Sequence, residues 1–301
     1  MAFHFRITPG NCPGVLSIHN QKHMRYYIKL FVPALFLCLL YSFSYKNTKV
    51  TEPPTVIAYY QFYHIKDTTQ RGRVWTEDFM LAFNADKSIY TSQTKAKQDS
   101  ALQAKLMEAE KKNSEIVEMG LFAPTTEDDI YTDKNTLYTI KNYNQQSYLI
   151  TEVLEKTSWT ISKETKQVLG YTCQMATGMV KGRRYTVWFT TDIPAGFGPW
   201  KLQGLPGLII EAYDDHHYIK FTCTKVVTSG GFQNIKPIDL PANPIPTTKT
   251  EYEHMKKALQ EDLGTENFGD GITIDKIAVN GAEAKKSGKK LAINYPLELI
   301  Q

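Results

Sequence analysis

Most signatures of chemistry are missing from this chain. Its 7 His and 4 Cys form no His-x-His, His-Glu-x-x-His or Cys-x-x-Cys spacing, so no metal site is written in the sequence. A Gly-x-Ser-x-Gly elbow, a Walker loop and a dinucleotide fingerprint are absent too, and the reading requires no cofactor. Charge of one sign is also lacking. Four of the 35 basic residues (Arg6, Lys22, Arg25 and Lys29) lie in residues 1–44, which hold no acid, and the rest balance the 31 acidic residues. A neutral remainder argues against nucleic acid as a partner.

No apolar run is long enough to span a membrane comfortably. Leu30–Phe43 is interrupted by Pro33 and follows the basic stretch Lys22–Lys29, which is the pattern of a signal peptide over residues 1–44. Met24 fits a true start, with residues 1–23 a misread extension; a cytoplasmic extension is the alternative. Ser42 and Ser44 suit cleavage after Ser44, and the residues before Cys38 lack the small side chain of a lipoprotein signal. Residues 45–301 then form one exported domain in the periplasm or cell envelope. An uncleaved leader is the alternative, and it would be the only membrane contact.

What is present is β-rich. Hydrophobic residues make up 42% and aromatic residues 12%, led by 18 Tyr. Thr55–Ile65 reads as a strand apolar on both faces. Phe79–Phe83 and Lys87–Ser92 read as a hairpin, and Thr94–Met119 as one or two helices with a thin stripe at Leu102, Leu106 and Ala109, capped at Gly120. Short strands are expected at Leu137–Ile140, Tyr148–Val153 and Trp159–Ser162, with a polar link before them. Two hairpins follow, Tyr171–Val180 with Arg184–Thr190 and Leu208–Tyr213 with Tyr218–Val227. A capping box from Thr250 to Glu253 opens a helix that stops at Gly264, and a short strand at Leu291–Asn294 closes the chain. The order predicts an α+β, β-rich fold: a curved antiparallel sheet with one or two packed helices.

Between the two hairpins lies the stretch around which the chain is organised, Trp188–Ile210, with Gly and Pro at a density that fixes the backbone. Leu205-Pro206-Gly207-Leu208 fits a type II turn. Trp188, Phe197 and Trp200 serve either as packing anchors or as a ligand or partner surface, with Asp192 and Arg184 as charges at its rim. Cys173 and Cys223 are left for a disulfide or for two buried thiols. As a nucleophile Cys173 has only His64, His216, His217 and His254 to draw on after the leader. Asp214-Asp215-His216-His217 and Glu127-Asp128-Asp129 read as solvated turns.

Gly204-Leu205-Pro206-Gly207-Leu208-Ile209 spells the hexapeptide of the GLPGLI family, which the chain resembles. The flanks match: Gly170-Tyr171-Thr172-Cys173, Arg184-Tyr185, Trp188-Phe189, Asp192-Ile193-Pro194 and Gly198-Pro199-Trp200. Asn294-Tyr295-Pro296-Leu297-Glu298-Leu299 is similar to the family's closing Asn-Pro-x-Glu stretch, with Tyr295 inserted. The resemblance implies a secreted or envelope protein of the Bacteroidota and supplies no reaction. Together these readings favour a non-enzymatic binding or carrier module for an envelope protein, a peptide or a lipid. The alternatives are a hydrolase of peptide or glycan with a dispersed site, and a structural subunit of an envelope complex.

Overall fold

The computed structural model describes residues 56–113, 123–143, 146–228, 238–263, 278–279, 282–283 and 293–299. The chain divides into two units, Met1–Val50 and Thr51–Gln301, and all described residues belong to the second. The expected leader lies outside them.

The fold is α+β and β-rich. Its main element is an open sheet of twelve strands among the described residues. They are β1 (Val56–His64), β2 (Trp75–Phe83), β3 (Lys87–Ser92), β4 (Asp128–Asp133), β5 (Thr136–Tyr143), β6 (Gln146–Val153), β7 (Thr160–Val168), β8 (Tyr171–Val180), β9 (Arg183–Thr190), β10 (Leu208–Asp214), β11 (Ile219–Thr228) and β12 (Ile245–Pro246). The spatial order is β12-β6-β5-β4-β3-β2-β1-β11-β10-β9-β8-β7. All pairs are antiparallel except β12, which runs parallel to β6 over two residues. β1 is central, paired on one edge with β2 and on the other with β11, and it buries Ile57 on one face and Ala58 and Tyr60 on the other, with Tyr59 half-buried. Register shifts at Tyr59/Tyr60, Ile209/Glu211 and Ile161/Thr165 mark bulges, which bend strands and increase twist.

Among the described residues two helices accompany the sheet, α1 (Gln93–Lys111) and α2 (Lys249–Leu263). α1 starts where Ser92 Oγ accepts the Lys95 N–H at 3.0 Å, and it buries none of its residues. Leu102, Leu106 and Ala109 are its half-buried stripe, as expected. The helix ends at Lys111 with Lys112 as cap, and the rest of the expected stretch, residues 114–119, lies outside the described residues. Gly120 lies outside the described residues. The capping box of α2 is Thr248 with Glu251 and not Thr250 with Glu253: the Thr248 N–H reaches Glu251 Oε2 at 2.9 Å, and the Glu251 N–H reaches Thr248 Oγ1 at 3.2 Å. Both pairs satisfy the spacing, and the register of the helix start selects between them.

Three further expectations are corrected. The polar link before Leu137 contains a strand, β4, whose Asp128 and Asp129 begin a ladder instead of a turn. Cross-strand Lys141 and Thr91 supply the partners that let those carboxylates enter a sheet. Residues 293–299 form bends and no strand, while the start of the expected closing strand lies outside the described residues. Leu205–Leu208 is not a type II turn, because positive φ falls on Gly204 (96°) and not on Gly207. Gly207 is needed for approach instead: a Cβ there would stand 2.0 Å from the Thr190 carbonyl oxygen.

The core lies on one face of the sheet. Register places Phe221, Ala212 and Val187 side by side, and the loop from Thr191 to Gly207 folds back over this half. Ile193, Leu202 and Leu205 are buried there against Leu208, Ile209 and Phe189. The loop bonds to itself and to β10: Gly204 N–H to Gly196 O at 2.8 Å, Leu208 N–H to Ile193 O at 3.1 Å, Ile209 N–H to Phe197 O at 3.1 Å.

Candidate functional site

The same face, continued toward β6, is not filled. It holds a cavity of about 560 Å³ floored by Phe62, Phe79, Tyr90, Ile130, Ile150 and Phe221. Alternation along each strand brings these side chains together, and register makes Tyr90, Ile130, Thr139 and Ile150 a continuous cross-strand row. Phe79 and Tyr90 stack at 4.6 Å and 7°, and Phe62 and Phe221 at 4.8 Å and 26°. The ring faces are therefore spent on one another, and the void meets mainly edges and aliphatic carbon.

Trp200 forms the boundary between the filled and hollow halves. Its ring lies 6.4 Å from Phe221 and nearly parallel to it, and 6.2 Å from Tyr185. Its backbone has φ 56°, a left-handed conformation that costs a bulky residue about 1–3 kcal/mol and is held by the surrounding loop. Next to it Lys201, whose side chain is 9% exposed, bridges Glu152 and Glu298 at 2.9 Å each.

Charges form rungs on both sides of the apolar row. On one side Lys141 Nζ meets Asp128 at 2.8 and 2.9 Å. On the other lie Glu152, Lys201, Glu298 and Lys249, the last 3.2 Å from Glu298. Each rung is two residues along the strands from the row, so the two are about 14 Å apart. Burial alone would raise the Glu298 carboxyl, but Lys201 and Lys249 outweigh it and hold the group below the usual range. Glu152 is lowered in the same way by Lys201 and Lys181. Three lysines face three carboxylates, so the rim is charge-balanced.

The segment 293–299 closes one side of the cavity through Pro296, Leu297 and Glu298. Almost every residue of this strap is tied. Asn294 Oδ1 accepts the Thr68 N–H at 2.9 Å, Arg183 Nη2 donates to Pro296 O at 2.6 Å, and the Leu299 N–H reaches Lys181 O at 2.9 Å. The Tyr295 hydroxyl donates to Asp214, and the Arg183 guanidinium lies 3.9 Å over its ring. Asp214 is 1% exposed and also accepts the Ile219 N–H at 2.9 Å. His64 Nε2 lies 2.8 Å from Tyr295 O, which can only accept, so this nitrogen carries the proton. Burial lowers the His64 pKa to about 4 and keeps the ring neutral.

Of the five residues read from the sequence as a ligand or partner surface, Trp200 lines the cavity and the other four do not; Asp128, read as part of a turn, and Pro296, Leu297 and Glu298 of the closing stretch line it too. Phe197 packs on Phe83 at 5.5 Å. Trp188 alternates with Val187 and so lies on the opposite face, where Lys166 Nζ stands 4.4 Å over its ring and pairs with Glu211. Arg184 is exposed, and its neighbour Arg183 is the buried one. Asp192 is exposed too, and its N–H donates to Thr190 Oγ1 at 3.2 Å. Cys173 and Cys223 are both buried and free, the thiol arrangement of the two alternatives. Burial pushes them up to about 11 and about 12, far from thiolate chemistry. Asp214 is buried, against the reading of a solvated turn. Among the described residues no cluster of three or more His, Cys, Asp or Glu is placed to hold a metal.

Sequence reasoning missed Tyr90, Thr139, Lys141 and Lys201. A period-two pattern, Asp128-x-Ile130-x-Thr132, was available for β4 but was masked by the preceding acid, Glu127. Nothing in sequence pairs Lys201 with Glu298 across 97 positions.

Residues 88–234 match the family described as N-glycanase peptide, N-terminal domain. That span runs from β3 past the end of β11 and includes the Gly/Pro loop. Among solved structures the chain is similar to PNGF-II, in a P21 and in a C2 crystal form. Each is 17% identical, has a TM-score of 0.47 and aligns with 67% of this chain. The chain spans about a third of the length of those structures, 33% and 32%. No curated protein matches the sequence.

Proposed function

We propose that this chain is an exported envelope protein of the GLPGLI type that binds an amphiphilic ligand, an acyl chain with a polar head, in the cavity of its curved sheet. The observation that carries the reading is the composition of that cavity: a floor of aromatic and aliphatic side chains between two charge-balanced rungs. Its volume is in the range of small-molecule sites. An apolar floor accepts the chain, and a neutral rim accepts a zwitterionic or uncharged head without a net electrostatic cost. The rim carboxylates are each engaged by a lysine, which supports binding over general acid–base work.

The test is native mass spectrometry of the mature protein purified gently from the exporting cell. A co-purified lipid mass is expected, and Trp200→Ala should lower its occupancy at least several-fold while the far-ultraviolet dichroism is kept. Ile150→Trp, which fills the cavity, should do the same. A protein that carries no lipid mass, or a lipid occupancy unchanged in both variants, would sink the reading.

A second reading rests on the match of residues 88–234 to an N-glycanase N-terminal domain. In it the chain is a module that accompanies N-glycan chemistry. Incubation with an N-glycopeptide separates the two: retention or cleavage of the glycopeptide favours this reading, and neither is expected from an acyl carrier.

A further inference from the structure

The cavity floor changes character along its length. It crosses seven neighbouring strands, β11-β1-β2-β3-β4-β5-β6. The first four contribute one ring each, Phe221, Phe62, Phe79 and Tyr90. Those rings are buried, and Trp200 covers their end of the floor, nearly parallel to Phe221 at 6.4 Å. The last three strands contribute Ile130, Thr139 and Ile150, each with a charged residue two positions along, Asp128, Lys141 and Glu152. The start of α2 joins them there, because the Thr247 N–H donates to Leu149 O at 2.9 Å. Lys249, its first residue, has 43% of its side chain exposed, against 9% for Lys201 and 19% for Glu298 in the same rung. The cavity thus has an enclosed aromatic end and a charged end that reaches solvent.

Shape narrows the choice of ligand. At the spacing of adjacent strands the floor runs about 29 Å from Phe221 to Ile150. At roughly 30 Å³ per non-hydrogen atom, the share of one water in the liquid, 560 Å³ holds about 20 atoms. That many atoms fill such a length only in single file. A fused-ring skeleton of the same size is shorter and broader, and a pair of long acyl chains has about twice the atoms the volume holds.

Resting on the amphiphile reading above, we infer that the cavity takes one unbranched acyl chain of about 18 carbons, inserted tail first. Its methyl end lies against Phe62 and Phe221 beneath Trp200. Its polar head lies at Ile150 and Lys249, beside the start of α2. A lysolipid and a free fatty acid both present such a chain. The aromatic end acts as a ruler for its length.

The experiment is displacement of dansyl-undecanoic acid from the full mature protein by lysophosphatidylcholines with decanoyl to behenoyl chains, and by the matching free acids. In at least one series affinity should rise about four-fold per added methylene and stop rising near stearoyl. Phe221→Leu enlarges the aromatic end and should move that limit to a chain about two carbons longer. Phe62→Leu, at the same end, is the second variant if the first loses its thermal transition. Ile150→Ala removes as many carbon atoms at the charged end and should leave the limit where it is. Binding that ignores chain length, or that keeps rising through behenoyl, overturns this inference alone. A limit moved by Ile150→Ala and not by the phenylalanine variants reverses the direction of insertion and overturns it too. Failure of both series to displace the probe removes the amphiphile reading, and this inference with it.

Discussion

The two halves of the sheet are built from the same kind of strand, yet one is filled and the other is hollow. Over β8–β11 the Gly/Pro loop supplies Ile193, Leu202 and Leu205 as a plug. Over β2–β6 the loop contributes Phe197, Trp200 and the Lys201 side chain that reaches Glu152, and the aromatic floor faces a void. The difference is not one of hydrophobicity, since both floors are apolar and buried. It is whether the chain brings its own filling. Close-packed interiors do not tolerate unfilled space cheaply. A cavity of this size, walled by ion pairs and closed by a strap, is therefore a feature maintained at a cost.

That contrast can be broken at its strongest joint first. Asp214 anchors the strap through Tyr295 and offsets the charge of Arg183, 3.6 Å away and 7% exposed. Asp214→Ala leaves a buried guanidinium without its counter-charge, and a loss of roughly 3–5 kcal/mol is expected by urea denaturation. Gly207→Ala attacks the filled half directly. Its methyl would be driven onto the Thr190 carbonyl, and a loss of about 3 kcal/mol is expected from the same measurement.

The seam between the halves responds to pH through His64. Its folded pKa of about 4 lies below the unfolded 6.5. The unfolded chain therefore binds the proton more readily between these values. Stability should be fully present above pH 6.5, fall as the pH drops toward 4, and level off below, by up to about 3 kcal/mol. His64→Gln keeps a donor for Tyr295 O, and it should flatten the denaturation midpoint across this window. An unchanged slope would count against the assignment.

The smallest effect belongs to the hollow half. Ile150→Phe adds volume where space exists, so a change below about 1 kcal/mol is expected, against the 1–3 kcal/mol of an ordinary overpacked core. A thermal melt of the purified variant distinguishes these outcomes. A large loss would mean that the cavity is packed in solution and that the two halves do not differ.

Much of the fold was legible in residue order. The central two-faced strand, the β2–β3 hairpin and the two hairpins around the Gly/Pro loop follow from alternation and turn chemistry, which act within a few residues. The site was far less legible. Trp200, to which the Gly/Pro loop draws attention, lines the cavity, while Trp188, Phe197, Arg184 and Asp192, near it in sequence, lie away from it. Alternation sends Trp188 to the opposite face from Val187, and puts Arg183 inside and Arg184 outside. A one-residue difference in register therefore decides which arginine matters.

By itself the sequence determined the strand-rich class and the rigid loop, because local sterics, alternation and glycine or proline geometry are properties of neighbouring residues. Tertiary structure alone decided that Tyr90 and Thr139 share a row, that Lys201 joins Glu152 to Glu298, and that the loop fills one half and leaves the other open. Those depend on strand order and register over separations of tens to hundreds of residues, where the free energy of a contact is set by what the whole sheet brings opposite it.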